Sequence, residues 1–273
     1  MRRWVGWQVG SRLVPGPVAV DFVNSTKLLV APGMTGATGN IYTGLHEFQD
    51  MAFALHLLRP NDLFVDIGAN VGSYTVLAAS VGAKSISVEP IKTTFDHLMR
   101  NIHLNGISDR VDARNIGVSS KKGSLEFTSG LDTVNHVANG DRQNGSPVCA
   151  VEVDTLNDVV GERCPVLLKI DVEGFETEVI AGADNVLSNK SLLAVIMELN
   201  GSGQRYNFDE GDLYSRMIEY GFAPYSYEPY ERSLTELNGK NMRAGNTLFV
   251  RGVEAVRQRL QTAPPFKVMG KSL

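Results

Sequence analysis

Four acidic residues carry the chemistry open to this sequence, and each stands where an apolar run ends. Asp66 interrupts "LFVDIGANVGSYTVLAA" (63–79), in which a short apolar strand turns through Gly68, Asn70 and Gly72 into an apolar helix. Glu89 closes "SISVEP", seventeen residues beyond Gly72. Asp171 follows "LLKI", and Glu198 closes "AVIME" with Asn200 just beyond. Glycines at 68 and 72 let the backbone approach a ligand closely. The helix that follows aims its N-terminal amides and positive dipole end at the same place. A carboxylate at the end of the next strand, Glu89, can accept both hydroxyls of a ribose. The unit reads as a nucleoside-binding βαβ, with Tyr74 on the first turn of its helix counted among the cofactor contacts.

The turn also narrows which nucleoside. A dinucleotide fingerprint is G-x-G-x-x-G, whereas D-I-G-A-N-V-G puts Asn70 where a second glycine would admit a pyrophosphate. Asp66 would repel a phosphate and suits an ammonium group. An amino-acid end, a ribose and an adenine together meet these conditions, and S-adenosylmethionine has all three. A glycine turn that only packs helix on strand would leave both strand-end acids unexplained.

Asp171, Glu198 and Asn200 converge at the same edge as hard oxygen ligands able to hold one Mg²⁺. Asp171 is equally suited to substrate contact or general-base work, and Glu198 is taken with it as catalytic. The plainer alternative is that both acids cap helices or bind loop amides. His136, in "SGLDTVNHVANG", sits on a polar segment (129–147) expected to form a lid, and is the imidazole candidate for general base. His46 and Glu47 head an upstream helix, where contact with substrate (His46) and cofactor (Glu47) stands against simple capping. His56, His97 and His103 fall on helices and read as structural or exposed.

These residues need a scaffold that gathers strand ends. "PVAVDFVNSTKLLVAPG" (17–33) alternates apolar and polar residues around Asn24-Ser25, which predicts a hairpin. Phe48, Met51, Ala52, Leu55 and Leu58 recur at helical spacing until Pro60 stops the helix. Predicted elements then alternate: strand 63–67, helix 71–81, strand 85–89, helix 92–104, strand 111–118. "SLEFTS" and "VCAVEV" make a hairpin-like pair around 129–147. Strand 166–170, helix 175–187, strand 192–198, helix 211–220 and strands near 222–228 and 246–251 follow. This alternation implies an α/β fold with a mostly parallel sheet covered by helices on both faces. Its expected division is an extension of hairpin and helix (1–60), a main domain (61–252) and a C-terminal tail (253–273) whose "KVMGKSL" frays. "YSYEPYERS" (225–233) either stacks a sugar ring or covers the sheet edge.

"DLFVDIGANVGSYT", "SVEP", "NIHLNGI" and above all "LLKIDVEGFETEVIAGA" resemble the FkbM-family methyltransferases. "TGLHEFQ" matches that family's upstream glycine-to-glutamate segment and "NTLFVR" its last strand, so the resemblance covers roughly residues 40 to 251. It implies a class I, Rossmann-like methyltransferase with a seven-stranded sheet, acting on a hydroxyl oxygen of a sugar or secondary metabolite. By matching position, Asp66, Gly68, Asn70, Gly72 and Glu89 would line the cofactor, and Asp171 and Glu173 belong to the shared DVEG motif, with Glu173 taken as a substrate contact. One departure is visible: Thr155-Leu156-Asn157 stands where many members carry T-L-D.

Bulk properties set the remaining limits. Net charge is −4 and no Lys/Arg run exceeds two residues, which speaks against a nucleic-acid partner. Cys149 and Cys164 lack CxxC spacing, so neither a disulfide framework nor a zinc site is indicated. The absence of a long apolar run or signal-peptide pattern predicts a cytoplasmic protein without a transmembrane segment, with "MRRWVGWQVG" as a solvated terminus or a peripheral membrane foot. Homo-oligomerisation is left open. The leading expectation is an S-adenosylmethionine-dependent O-methyltransferase acting on a small hydroxylated acceptor. The alternatives are a non-catalytic S-adenosylmethionine-binding module and, disfavoured by Asn70 and Asp66, a nicotinamide-dependent oxidoreductase.

Overall fold

In the computed structural model, which describes residues 16–31, 34–131, 134–139, 145, 147–268 and 271–273, the apolar runs become strands and the amphipathic ones helices. The N-terminal decapeptide and eight residues of the 129–147 segment (132, 133, 140–144 and 146) lie outside the described residues. The hairpin β1 (Val18–Asp21) and β2 (Lys27–Val30) leads through α1 (Thr35–Thr43) to α2 (Phe48–Leu57). Then come β3 (Leu63–Ile67), α3 (Ser73–Ser80), β4 (Lys84–Val88), α4 (Lys92–Leu104) and β5 (Val111–Arg114). Short β6 (Gly117–Val118) joins β7 (Gly123–Thr128) and β8 (Val148–Asp154) in a separate three-stranded sheet. The chain returns through α5 (Leu156–Val160), β9 (Pro165–Ile170), α6 (Glu176–Ala181), α7 (Asp184–Ser188) and β10 (Ala194–Glu198). A 3₁₀ turn (Ser202–Tyr206), α8 (Glu210–Glu219), β11 (Ala223–Glu228), β12 (Ser233–Glu236), β13 (Asn246–Val250) and α9 (Val253–Gln261) follow. A terminal pair, β14 (Lys267–Val268) and β15 (Lys271–Ser272), ends the described chain.

The main sheet has the order β12-β11-β13-β10-β9-β3-β4-β5. β10, β9, β3, β4 and β5 run parallel, while β13, β11 and β12 pair antiparallel. Seven strands were expected, and β12 adds an eighth at the edge by hairpin from β11. On one face Phe64, Leu167, Ala194 and Ile196 pack into the core that also takes the apolar sides of α2 and α3. On the other, Val65, Ile67, Leu168, Ile170, Val195 and Met197 pack with residues of α5 to α8. Burial on both faces is why these strands read as continuous apolar runs. Because β3 and β9 are neighbours although far apart in sequence, strand order switches there and opens a crevice at their carboxyl ends. Among the described residues no helix is long and apolar enough to cross a membrane.

Three expectations change. The strand expected over 111–118 leaves the main sheet after Arg114, and the Asn115 side chain donates to the carbonyls of Glu89 and Pro90 at 2.9 Å each. The helix expected over 175–187 is two helices, with Gly182, a poor helix former, between them. Residues 253–268 and 271–273 are not a frayed tail. Val256, Leu260, Ala263 and Phe266 are buried in the same core cluster as α2, and Val268 bridges Val23. In "YSYEPYERS", Tyr225 and Tyr227 are buried in β11, one strand in from the edge, while Tyr230 is exposed and tilts against Phe48 at 5.5 Å. Position 157, the departure from T-L-D, is a cap: Asn157 Oδ1 accepts the N–H groups of Asn185 and Val186, which open α7. An amide oxygen fills that role without a charge. Phe266→Ala should lower the free energy of unfolding by about 3 kcal/mol in denaturant titration. A frayed terminus would give no change.

Candidate active site

Register builds the floor of the site. Asp66 of β3 is paired with Lys169 of β9, and Lys169 with Ile196 of β10. Side chains alternate along a strand, so Asp66 and Lys169 share the face on which Phe64 and Leu167 meet the core. Two residues further on, at the carboxyl edge, Asp171 follows β9, and Glu198 closes β10 opposite Asn246. A cavity of about 330 Å³ opens over this floor. One wall is the turn Gly68–Val71 with Glu89 and Pro90. Asp171, Val172, Glu173 and Glu198 form another, and His46, Glu47 and Met51 a third. Phe127 and Asn135, from β7 and the segment after it, complete the lining.

The turn is held tightly. Gly68 has φ +80°, and a Cβ there would stand 1.8 Å from the Asp171 carbonyl oxygen, so no side chain fits between the loop and β9. Asn70 is also left-handed (φ +51°), and its N–H donates to Glu89 Oε2 at 3.0 Å. Glu89 Oε1 accepts the Ile91 N–H at 3.0 Å, so one carboxylate ties two loops. Gly72 (φ +89°) caps α3 and packs toward Leu98 rather than lining the cavity, so its role is to turn the chain into the helix.

Charges in the cavity are mostly acidic and mostly desolvated. Burial pushes Asp66 up to about 6, although the Thr75 hydroxyl donates to it at 2.8 Å and Lys169 stands alongside. Burial raises Glu89 to about 7, against its two backbone hydrogen bonds. Burial and then Asp171 raise Glu173 to about 7, and burial with Asp171 and Glu173 carries Glu198 to about 9. The Lys169 side chain is 4% exposed, and its Nζ donates to Asp171 Oδ2 at 2.6 Å. Burial disfavours its charge, but Asp171, Glu47 and Asp66 outweigh that and hold it above the ordinary lysine range. The ammonium also sits over the Tyr74 ring, 4.9 Å from its centroid. Tyr74 donates its hydroxyl to Glu47 Oε2 at 2.7 Å, and Asn246 Nδ2 donates to Glu47 Oε1 at 2.9 Å and to Asp50 at 3.0 Å.

The structure brings most of the expected residues together. His46, Glu47, Asp66, Gly68, Asn70, Tyr74, Glu89, Asp171, Glu173 and Glu198 all line the cavity. Two do not. His136 is buried beside it, with Nδ1 at 2.8 Å from the Val134 carbonyl, and the cavity wall is taken by Asn135. The bridge Phe127↔Val137 sets this, because alternation sends 135 and 136 to opposite sides. Asn200 is exposed, and its Oδ1 accepts the Ser202 N–H at 2.9 Å. The oxygen cluster able to hold a metal is instead Asp171, Glu173 and Glu198, with ligand atoms within 4.8 Å of one another. Glu173 reaches it from a left-handed backbone (φ +55°), a conformation that costs a non-glycine residue energy and is concentrated at functional sites. Lys169, Asn135 and Asn246 were missed. Only Lys169 left a signal, as a lone charge inside the apolar run "VLLKI".

A family model described as the methyltransferase FkbM domain matches residues 66–224. The chain is 30% identical over 176 residues to methyltransferase sdnD of Sordaria araneosa, covering 50% of this chain and 66% of that protein. It is 29% identical over 144 residues to the hexuronic acid methyltransferase AglP of Haloferax volcanii, covering 51% and 56%. The matched stretches thus span less than two thirds of these relatives. Among solved structures, a precorrin-6y C5,15-methyltransferase from Geobacter metallireducens aligns with TM-score 0.43 at 10% identity, over 82% of this chain and 92% of that one. An S-adenosylmethionine-dependent O-methyltransferase from Thermotoga maritima aligns with TM-score 0.40 at 13% identity, over 74% and 64%.

The raised pKa of Glu89 makes a stability prediction with a definite sign. A carboxyl that ionises near 4.5 when unfolded and near 7 when folded binds more protons in the native state between those values, so its contribution falls as pH rises. Between pH 4.5 and 8 the wild type should lose about 3 kcal/mol of unfolding free energy relative to Glu89→Gln. Urea titrations of both proteins across that range check this, and parallel curves would contradict it.

Proposed function

The chain belongs to the FkbM methyltransferase family, and we propose that it moves the methyl group of S-adenosylmethionine to a hydroxyl oxygen of a small molecule or sugar. The observation that carries this reading is one continuous cavity joining the glycine turn and Glu89 to the carboxylates Asp171, Glu173 and Glu198. The residues fit the donor. Each Glu89 oxygen holds one backbone amide and keeps lone-pair capacity for a ribose hydroxyl. An apolar patch of Pro90, Val118, Phe127, Val172 and Phe175 lies beside it. Asp66, Tyr74 and Glu47 lie on the side where an amino-acid end would go. The chemistry is assigned to residues 61–252, with 1–60 as an extension that adds His46, Glu47 and Met51 to the cavity wall. A sugar-type acceptor draws support from a relative named for hexuronic acid.

The donor supplies an electrophilic methyl group, so the chain's task is to hold the acceptor oxygen about 3–3.5 Å from it and to take the hydroxyl proton. Asp171, kept beside the Lys169 ammonium, receives that proton. Glu198, raised by burial and by its neighbours, remains largely protonated near neutral pH and donates a hydrogen bond to an acceptor oxygen, while Glu173, raised to about 7, is protonated only in part there. A second reading has a specific observation behind it, the three converging carboxylates. Asp171, Glu173 and Glu198 would hold Mg²⁺, which would supply Lewis-acid polarisation of the acceptor hydroxyl.

Calorimetric titration with S-adenosylmethionine, S-adenosylhomocysteine and NAD, each with Mg²⁺ or EDTA, tests the donor. Binding of the first two and not of NAD is expected. NAD binding alone would overturn the proposal. Labelled methyl transfer to a panel of neutral glycosides, uronates and phenols then tests the acceptor. Asp171→Asn should keep donor affinity within about threefold and lower transfer at least about a hundredfold. Normal turnover by that variant would remove Asp171 from the chemistry.

A further inference from the structure

Among the described residues Lys169 is the one buried cation on the floor of the cavity, and its surroundings make no sense for stability alone. Along the same row of the sheet its other strand neighbour is Ile196, and core residues pack behind it. Burying an ion pair costs several kcal/mol per charge, and a well-packed apolar replacement is commonly as stable. Yet Lys169 is gripped from three sides by groups on three different elements. Asp171, at the end of the same strand, accepts a hydrogen bond from its ammonium. The Tyr74 ring of α3 covers it at 4.9 Å. Asp66 of β3 stands opposite it in register. The Tyr74 hydroxyl passes the connection on to Glu47, which Asn246 of β13 holds from the other side.

Resting on the methyl-donor reading above, we propose that Lys169 is a positioning residue of the donor pocket. Its ammonium fixes the Asp171 carboxylate and, by way of the Tyr74 ring and hydroxyl, holds Glu47 at the cavity wall. Lys169 acts on the donor through Tyr74 and Glu47 rather than by contact, and its bond to Asp171 serves the proton acceptor. Three lining groups that come from residues 47, 74 and 171 are thereby set by one charge. A cation over an aromatic face and a charge-assisted hydrogen bond are both strong when desolvated, which is the condition here. An arginine in its place would keep the charge, the ring contact and a donor for Asp171, whereas a methionine of similar length would keep only the packing.

The test needs no acceptor. S-adenosylhomocysteine affinity of the full chain is measured by calorimetry for wild type, Lys169→Met, Lys169→Arg, Tyr74→Phe and the double variant Tyr74→Phe/Lys169→Met, with thermal unfolding recorded alongside. Lys169→Met and Tyr74→Phe should each weaken binding about tenfold while remaining folded. The double variant should bind no more weakly than the worse single one, because both cuts break one chain of contacts. Lys169→Arg should stay within about threefold of wild type. Independent losses that multiply to about a hundredfold, or unchanged binding in Lys169→Met, would overturn the proposal. Should Lys169→Met not fold, unchanged binding in Tyr74→Phe, which keeps the ring and its packing, overturns it as well. Failure of the wild type to bind S-adenosylhomocysteine would bring down the donor reading itself, and it is distinguished because the wild type is measured first.

Discussion

The buried ammonium of Lys169 sits where the strand order switches, and the acids around it are tolerable in a dry place because of it. Asp66, Asp171 and Glu47 all bear on its charge, and burial alone would work against each ion in turn. The parallel sheet creates this crowding. Strands that run together end together, so acids that close β3, β4, β9 and β10 arrive at one edge from positions more than a hundred residues apart. The core behind that edge is apolar on both faces, which leaves the edge as the place where these charges can be met by each other, by solvent or by a ligand.

The same crowding explains why the outer carboxylates differ from the inner ones. Asp66 and Asp171 have Lys169 beside them. Glu173 and Glu198 lie further from it and nearer to one another and to Asp171, and their affinity for protons is raised by burial and by those like charges. Glu198 Oε2 is buried with no hydrogen-bond partner among the described residues, a cost that a proton, a cation or a bound hydroxyl would relieve. The cavity is therefore divided into a compensated inner half beside the glycine turn and an uncompensated outer half.

Much of this was legible in the sequence, for a reason that also marks the limit. Asp66, Glu89, Asp171 and Glu198 each terminate an apolar run, and a strand end in a parallel sheet is a position that periodicity can locate. Lys169 could not be given partners, because apart from Asp171 they come from β3, α3 and the start of α2, and only the folded sheet and its helices bring them together. Asn200 and Glu173 were exchanged as the third oxygen ligand for a local reason. The left-handed backbone at Glu173 directs the chain back toward β10, whereas Asn200 turns outward to hold Ser202, and neither turn leaves a periodic signal. His136 and Asn135 differ by one residue, and in an extended segment one residue decides which side a group faces. Val256, Leu260 and Ala263 carry the spacing of the C-terminal helix, but with few apolar positions among its charged residues the segment reads as a tail until the core behind it is seen.

Charge then links the architecture to the proposed chemistry. Glu47, Asp66, Glu89, Asp171, Glu173 and Glu198 face the cavity against Lys169 and the exposed His46. A donor carrying a sulfonium and an ammonium against one carboxylate is net positive, and so supplies what the cavity lacks. In the proposed transfer the sulfonium becomes a neutral thioether while the acceptor hydroxyl releases a proton, so the positive charge leaves the donor and reappears on whichever group takes that proton. A cavity with surplus carboxylates is suited to receive it. The spent donor, stripped of its sulfonium charge, is then held less strongly by the field that drew it in, so the electrostatics that favour binding also favour release after reaction.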